Sequence, residues 1–304
     1  MRILINKLTK LKFRFTTNTT EENSDIVAFK LNNTYTIKKG TIISVNSGIS
    51  GDFTIPEGVT TISEKAFSNC YSLLNVDMND NVTLIGKAAF RFCKALKSIN
   101  LSDNIQYIAA NLFQGCLKLN NVTLPNNIEY VGDYAFYLCE NLSIIELNKN
   151  ITKLGKGSFA NCIRLEKIDL YDSIKEIGAD CFYRCQRLKS VNLPDSIISL
   201  EQGTFSGCVN LVGVRFPGGL QHIGQNCFLD CNRLLTVDLP SSVENIGKFA
   251  FKNCINLKAV YIRNTAANIE QGAFRNCSNA TIFCYENSNA YRYAKYNNLK
   301  VSLL

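Results

Sequence analysis

A phenylalanine recurs at every 23rd position, ten times without an insertion or deletion, and this repeat constrains the fold more than any other feature of the chain. A cysteine follows at the third position after each of these phenylalanines. A fixed period of this length indicates one supersecondary unit stacked on copies of itself, with each copy contacting only its neighbours. The sequence therefore predicts a solenoid. The phenylalanines are Phe67, Phe90, Phe113, Phe136, Phe159, Phe182, Phe205, Phe228, Phe251 and Phe274, and the cysteines run from Cys70 to Cys277.

Each repeat also carries a pattern that predicts one β-strand. In the second repeat Leu96, Ile99 and Leu101 are apolar, and the spacing of two between the last pair is the period of a strand. The residues between them, Ser98 and Asn100, then point away from the core. Because the pattern recurs along the chain, we expect parallel strands from successive repeats to form one sheet.

The rest of the repeat is predicted to return the chain to the next strand. Proline directly follows several strands, where its missing N–H breaks no ladder. Small turn formers come two positions later, and their side chains are expected to hydrogen-bond along the stack. Two apolar positions then form the far wall, and a short helical turn is predicted to carry each phenylalanine back to its cysteine. The prolines are Pro125, Pro194, Pro217 and Pro240, and the turn formers include Asn81, Asn104, Asn127, Asn150 and Ser242.

The repeat L-x-x-V-x-L-P-x-S-V-x-x-I-G-x-x-A-F-x-x-C resembles the 23-residue, BspA-like class of leucine-rich repeats over roughly residues 53 to 285. The resemblance implies an α/β solenoid: a leucine-rich repeat array of about ten 23-residue coils with a concave parallel β-sheet, short helical turns on the other side, and caps at both ends. We expect residues 1–52 to form a basic N-terminal segment and cap, 53–285 the solenoid, and 286–304 a C-terminal cap. That cap is predicted to contain a helix, with Ser288 as its N-cap, and a strand.

The cysteines and the single histidine predict no catalytic or metal centre. Ten of the thirteen cysteines form one file that is expected to face inward, where a reduced thiol behaves as a small apolar group and disulfide formation is the alternative. Cys181/Cys185 and Cys227/Cys231 have the spacing of paired metal ligands, but no histidine completes a site. His222 is expected on the convex surface, in contact with solvent. Since no phosphate-binding glycine motif is present either, the sequence favours a non-enzymatic protein without a cofactor.

Positive charge is concentrated at the start of the chain. The net charge is +8, and residues 1–52 hold eight basic and four acidic side chains, a net of +4. Residues 1–15 alternate basic and apolar side chains, which predicts a strand or helix that caps the first repeat. An arm that binds a membrane surface or nucleic acid is one alternative, and a disordered leader is another. The longest apolar run there, residues 3–5, is far shorter than a signal peptide or a transmembrane segment requires.

The resemblance implies a non-catalytic scaffold that binds a protein or glycan, as a surface adhesion or interaction protein does. Solenoid curvature makes the sheet an extended concave surface, so the outward strand positions are the predicted contacts. Nucleic acid is not the first choice of partner. The alternatives are a structural or assembly subunit of a surface layer, virion or intracellular complex, and anionic-surface binding through the basic N-terminal segment. The predicted contacts are Asn100, Thr123, Glu146, Lys167, Asp169, Asn192, Arg215, Asp238 and Tyr261.

The resemblance also implies a cell-surface or extracellular location, although no signal peptide is recognisable; the cytoplasm is the alternative. A second predicted surface is a basic ridge that would meet an acidic partner, with ordinary solvation as the alternative. The ridge consists of Arg164, Arg184, Arg187 and Arg233.

Overall fold

The structure, a computed structural model, describes residues 28–31 and 34–304. These residues form a solenoid of about 11 turns with a 23-residue spacing between equivalent positions. The predicted fold class is confirmed, and the described part of the chain contains one α-helix, Asn289–Tyr296. A single stack of buried apolar side chains runs from Ile42 to Ala294 and forms the core.

Each coil contributes to two walls, and both walls consist of parallel strands. The long-strand row follows the predicted apolar spacing, and we call its outward side the strand face. A short-strand row of two-residue strands forms the other wall, where the sequence indicated only a turn lined by apolar residues. The long-strand row comprises Ser50–Thr54, Ser72–Asp77, Ser98–Asn100, Asn121–Thr123, a bridge between Ile144 and Lys167, Ser190–Asn192, Gly213–Arg215, Thr236–Leu239, Ala259–Ile262, Thr281–Cys284 and Lys300–Leu303. The short-strand row comprises Thr61–Ile62, Leu84–Ile85, Tyr107–Ile108, Tyr130–Val131, Lys153–Leu154, Glu176–Ile177, Ser199–Leu200, His222–Ile223, Asn245–Ile246 and Asn268–Ile269.

An antiparallel meander precedes the first coil. Ala28–Leu31 pairs with Tyr35–Lys38, which pairs in turn with Thr41–Val45. Thr41–Val45 also pairs in parallel with Thr61–Ile62 and so joins the meander to the short-strand row. The meander therefore covers the edge that the short-strand row would otherwise expose, whereas Ser50–Thr54 is the end strand of its own sheet.

The ten repeat phenylalanines form one column of rings through the core. Neighbouring ring centroids lie 4.8–5.9 Å apart, and the planes of neighbouring rings differ by at most 28°. Phe53 meets Phe67 edge-on at one end of the column, and Tyr293 meets Phe274 edge-on at the other. Stacked and edge-to-face contacts both suit the charge distribution of aromatic rings. Aromatic residues from outside the column thus close it at both ends.

The segment around each phenylalanine consists of tight turns. The N–H of Ala66 donates to the carbonyl of Ser63, and the N–H of Cys70 donates to the carbonyl of Phe67. The residues two before and two after each phenylalanine have φ between 55° and 75°, and these left-handed positions limit the predicted helical turn to single turns. The first left-handed column is Lys65, Ala88, Asn111, Tyr134, Gly157, Asp180, Gly203, Asn226, Phe249 and Gly272; the second is Asn69, Phe92, Gly115, Leu138, Asn161, Arg184, Gly207, Asp230, Asn253 and Asn276.

The cysteine column hydrogen-bonds to the phenylalanine column. The Sγ of Cys93 lies 3.1 Å from the carbonyl oxygen of Phe67 in the preceding coil, and eight further cysteines make the same contact at 3.0–3.3 Å. A thiol suits this position because it is small, apolar and a weak donor. All thirteen cysteines lie in the described part of the chain, where they are buried with free thiols.

The predicted ladder of turn residues, on the side of the coils that comes after the long strands, is confirmed for Asn104, Asn127, Asn150 and Ser242, whereas at Asn81 the hydrogen bond is made by the backbone N–H, to the Oδ1 of Asn79. The Nδ2 groups of Asn104, Asn127 and Asn150 each donate to a backbone carbonyl of the preceding coil, at 2.6–3.1 Å. The Oγ of Ser242 makes an equivalent bond to the carbonyl of Gly218 at 2.8 Å. These side chains satisfy carbonyl groups that the turns leave without a strand partner.

A helix and a strand come after the last coil. The predicted N-cap is confirmed: the Oγ of Ser288 accepts a hydrogen bond from the N–H of Tyr291 in the helix Asn289–Tyr296 at 3.1 Å. The chain then forms Lys300–Leu303, which pairs in parallel with Thr281–Cys284. Among the described residues, no helix combines the length and the apolar character needed to cross a membrane.

Candidate binding surface

The predicted contact residues lie on the strand face in two adjacent columns. Eight of them, spaced at the repeat period from Asn100 to Tyr261, occupy one outward column, and Lys167 lies in the other. Strand pairing aligns Asn192 with Arg215 and Asp238 with Tyr261. Tyr261 is half-buried, and the other predicted residues are exposed. The structure therefore places the predicted set along one surface strip, although strand pairing divides the long-strand row into several sheets instead of the single sheet that the sequence predicts.

Residues of this strip, both basic and acidic, form exposed ion pairs. The Nζ of Lys167 lies 2.7 Å from the Oδ2 of Asp169, and this carboxylate raises the pKa of the Lys167 ammonium through a hydrogen bond and charge attraction. Arg215 donates to Asp195 at 2.9 Å and to the carbonyl of Leu193 at 3.2 Å. Because these pairs are exposed to solvent, they contribute little to stability and remain accessible to a partner.

An aromatic group lies at the C-terminal end of the strand face, and it adds Phe283 and Arg263 to the predicted residues Asp238 and Tyr261. Tyr261 stacks on Phe283, with 4.6 Å between ring centroids and 19° between planes. The guanidinium carbon of Arg263 lies 5.6 Å from the Tyr261 ring centroid, and Arg263 forms an ion pair with Asp238. A cation over an aromatic face is an attractive contact. The strip thus ends in an ordered group of two rings, one cation and one carboxylate.

The repeat pattern does not predict the outward position of Phe283, because the strand register changes by one residue there. Tyr261 pairs with Phe283, whereas the repeat period assigns the outward place to the next residue, Cys284. Cys284 is buried. The alternation within Thr281–Cys284, in which Phe283 lies between the buried Ile282 and Cys284, is the sequence signal that finds this residue.

Comparison with known proteins identifies the family to which the repeat belongs. A family model described as "BspA type Leucine rich repeat region (6 copies)" matches residues 45–166 and 152–281, which together span well over half of the chain. The chain belongs to the BspA-type leucine-rich repeat family. A search of curated proteins finds no significant match.

Solved structures of leucine-rich repeat proteins share this fold. A leucine-rich repeat protein from Bacteroides ovatus is 24% identical, with a TM-score of 0.75 over 95% of this chain and 77% of that one. A leucine rich cell surface protein from Faecalibacterium prausnitzii is 20% identical, with a TM-score of 0.50 over 94% of this chain and 98% of that one. At these identities the likeness shows the fold.

The basic ridge of the BspA-type array is exposed but partly paired. Arg164, Arg184, Arg187 and Arg233 all contact solvent. Arg187 forms an ion pair with Glu166 at 3.5 Å. Because ordinary solvation accounts for such side chains, the strand face offers the more structured surface of the two.

The remaining residues singled out by the sequence lie apart from the strand face. His222 is half-buried in the short-strand row, with its Nδ1 3.1 Å from the Nδ2 of Asn245. The Sγ of Cys181 contacts the Oγ of Ser158 at 3.2 Å, whereas Cys185 belongs to the cysteine column. BspA-type repeats are generally non-catalytic binding scaffolds. The predicted N-terminal arm, residues 1–15, lies outside the described residues.

Proposed function

We propose that this protein is a non-catalytic scaffold that binds a protein partner on its strand face. The observation that carries the proposal is the contrast between the two sides of the long strands. The inward columns repeat the same kinds of apolar residue, whereas the exposed outward columns change in charge and size from coil to coil. Since the inward columns serve packing between coils, the variable outward columns are the surface on which partners can be distinguished.

The aromatic group supplies the anchor that a protein interface needs. Tyrosine and arginine are enriched among the interface residues that contribute most to affinity. Arg263 is held by Asp238 and by the carbonyl of Leu239 at 3.1 Å, so its position is set before a partner arrives. Side chains that are ordered in advance lose less conformational entropy on binding. This group supports a protein partner anchored at the C-terminal end of the strip.

The charges along the strip provide specificity. Glu146, Lys167 and Asp169 succeed one another in the middle of the strand face and carry both signs. Mixed charges attract a partner with the complementary pattern and disfavour one with uniform charge. A mixed pattern therefore supports a protein partner over nucleic acid, whose charge is uniformly negative.

We also propose that binding takes place at a cell surface. The neighbour from Faecalibacterium prausnitzii is described as a cell surface protein, and this description supports the proposal. A membrane-impermeant lysine reagent added to intact producing cells is expected to label the protein. Labelling only after lysis would contradict the location while leaving the binding proposal intact.

Charge reversal on the strand face tests the binding proposal. Asp169→Lys combined with Asp238→Lys is expected to weaken binding at least several-fold, because both changes reverse charges that a complementary partner would meet. Binding is measured as retention of proteins from a cell-surface extract on the immobilised protein. Protease treatment of the extract is expected to abolish retention, and enzymatic removal of glycans is not. The melting temperature should remain unchanged because the reversed charges are exposed.

Glu129→Lys combined with Glu244→Lys is the matched control, since both carboxylates are exposed on the side of the short-strand row. Equal loss of binding in the two double variants would assign the effect to net charge and contradict the proposal. Deletion of residues 1–15 is expected to leave binding unchanged. Binding that is lost only on this deletion, and that depends steeply on salt, would assign the function to anionic-surface binding instead.

A further inference from the structure

A directional hydrogen-bond pattern links each coil to the next around the phenylalanine column. Three backbone N–H groups per coil donate to carbonyls of the following coil: that of the phenylalanine and those of the two left-handed residues that flank it. In the seventh coil, Gly203, Phe205 and Gly207 make these bonds at 2.9, 2.8 and 2.7 Å. The complete set of three recurs in every coil from the first, which begins with Lys65, to the eighth, which ends with Asp230.

The last coil has the same donors but no following coil. The N–H of Phe274 donates to the Oη of Tyr293, in the terminal helix, at 3.3 Å. The flanking N–H groups of Gly272 and Asn276 donate to no carbonyl among the backbone hydrogen bonds of the described residues. Both residues keep the left-handed conformation of their counterparts, with φ of 70° and 64°. Two donors that meet a carbonyl acceptor in each of the first eight coils are therefore available at this end of the array.

These donors border an open cavity of about 500 Å³ that is lined by the last two coils, the terminal helix and the residues directly after that helix. Lys248 and Arg275 contribute cationic side chains to the lining, and neither aspartate nor glutamate does. The ring of Phe249 lies where a side chain on Gly272 would project, since an added Cβ would come within 2.5 Å of it. The lining therefore combines backbone donors with positive charge, and the nearby Glu270 carboxylate, which is not part of the lining, already accepts a hydrogen bond from the backbone N–H of Lys248 at 2.9 Å.

We propose that this end-coil cavity binds an oxyanion, namely the phosphate or sulfate group of a ligand. Backbone N–H groups beside left-handed residues form concavities that bind anions. Lysine and arginine form strong, charge-assisted hydrogen bonds with the same oxygens. The hydroxyl of Tyr293 accepts from the N–H of Phe274 and can donate its own hydrogen to the bound anion. The site is separate from the strand face and does not depend on the function proposed for it.

Backbone amides report binding directly when inorganic phosphate or sulfate is titrated into isotope-labelled protein. The amide resonances of Gly272 and Asn276 are expected to shift and to saturate, because these N–H groups gain a charged acceptor. Gly203 and Gly207 are equivalent amides that already donate to a carbonyl, and their resonances are expected to stay in place. Shifts of equal size at Gly203 and Gly272, or shifts that never saturate, would show an adventitious ion only and would overturn the proposal.

Charge removal in the cavity provides the second test. Lys248→Gln combined with Arg275→Gln is expected to weaken phosphate binding roughly tenfold, because two charge-assisted bonds become neutral or are lost. Lys258→Gln combined with Arg292→Gln is the matched control: all four side chains are exposed, and the control pair lies outside the cavity lining. Equal weakening in both double variants would overturn the site. The melting temperature without phosphate should be the same in all these proteins.

A vesicle experiment identifies the source of the oxyanion. Vesicles of phosphatidylcholine with phosphatidic acid are compared with vesicles of phosphatidylcholine alone. Sedimentation of the protein with the former, abolished by free phosphate and by the Lys248→Gln and Arg275→Gln changes, would identify a lipid headgroup. Saturable amide shifts with free phosphate, without sedimentation on either vesicle, would identify a soluble ligand.

Discussion

At the left-handed positions, glycines are paired with side chains in the preceding coil. Five glycines each lie one repeat period after a residue whose side chain covers them, and an added Cβ would lie 2.1–2.9 Å from that side chain. Asparagine and larger residues occupy most other left-handed positions, so φ alone does not require glycine there. Glycine is required instead because the side chain in the preceding coil leaves no room for a Cβ. The pairs are Phe92/Gly115, Tyr134/Gly157, Asp180/Gly203, Arg184/Gly207 and Phe249/Gly272.

Gly115→Ala tests this pairing. We expect a loss of about 1–3 kcal/mol in the free energy of unfolding, because the new Cβ would lie 2.2 Å from Cδ1 of Phe92 and because φ is +73°. Phe92→Ala in the same chain should restore part of the loss, and chemical denaturation measures both effects. Gly213→Ala is the control, since the added Cβ meets no atom within 4 Å. An equal loss in the control, or no restoration by Phe92→Ala, would contradict the pairing.

The buried thiols predict a pH dependence as well as slow reactivity. Burial raises the pKa of the Cys70 thiol from its ordinary value of 9.0 to about 11, and burial raises that of Cys181 to about 12. The folded state therefore holds these protons more tightly than the unfolded state, so this contribution to stability is present below about pH 9 and is lost as pH rises through 11 to 12.

At pH 8, a thiol reagent is expected to label the native protein slowly and to label all thirteen cysteines after denaturation without reductant. The denaturation midpoint should fall as pH rises above about 9. Recovery of most cysteines as disulfides, or a midpoint that rises with pH over this range, would contradict the prediction.

At the scale of elements, the column of phenylalanine rings connects all the coils. Phe159 has a stacked ring on both sides, at 5.3 and 5.8 Å, whereas Phe274 has one stacked neighbour and the edge of Tyr293. Phe159→Ala is expected to cost roughly 3–5 kcal/mol, as such truncations do in packed cores, and Phe274→Ala less. Guanidinium denaturation ranks the two. Equal costs, or the reverse order, would contradict a core that is strongest in the middle of the array.

An element can be predicted from the sequence when it is long enough for its apolar and polar residues to form a recognisable pattern. The long strands are predictable because apolar residues alternate over several positions in each repeat. The short-strand row is harder to predict because its strands have only two residues, such as Tyr107–Ile108 and Tyr130–Val131, and alternation over two positions resembles a turn. The left-handed conformation is also hard to predict, because Phe92 and Leu138 adopt it as well as asparagine and glycine, the residues that usually indicate it.

At the scale of the whole molecule, the sequence predicts the stack of coils and its buried columns because a 23-residue period repeats the same environment ten times. It predicts the strand face only where that period holds. The outward position of Phe283 is not predicted, because the step from Tyr261 is one residue shorter than the period. The end-coil cavity is not predicted either, because its lining includes the terminal helix as well as the last coil. Features at the ends of a repeat array need the structure, since there each coil lacks one of its two usual neighbours.

The bonds between coils also bear on how such a chain changes length. Since N–H donors and carbonyl acceptors meet at equivalent positions in each of the first eight coils, whatever their side chains are, a gene segment that encodes one of these coils can be duplicated or excised with its bonds to the neighbouring coils preserved. A change of any other length moves buried residues to outward places, as the shortened step before the terminal helix moves Cys284 inward and Phe283 outward. Relatives of this protein are therefore expected to differ in length by whole coils, with the terminal helix and strand inherited as one block.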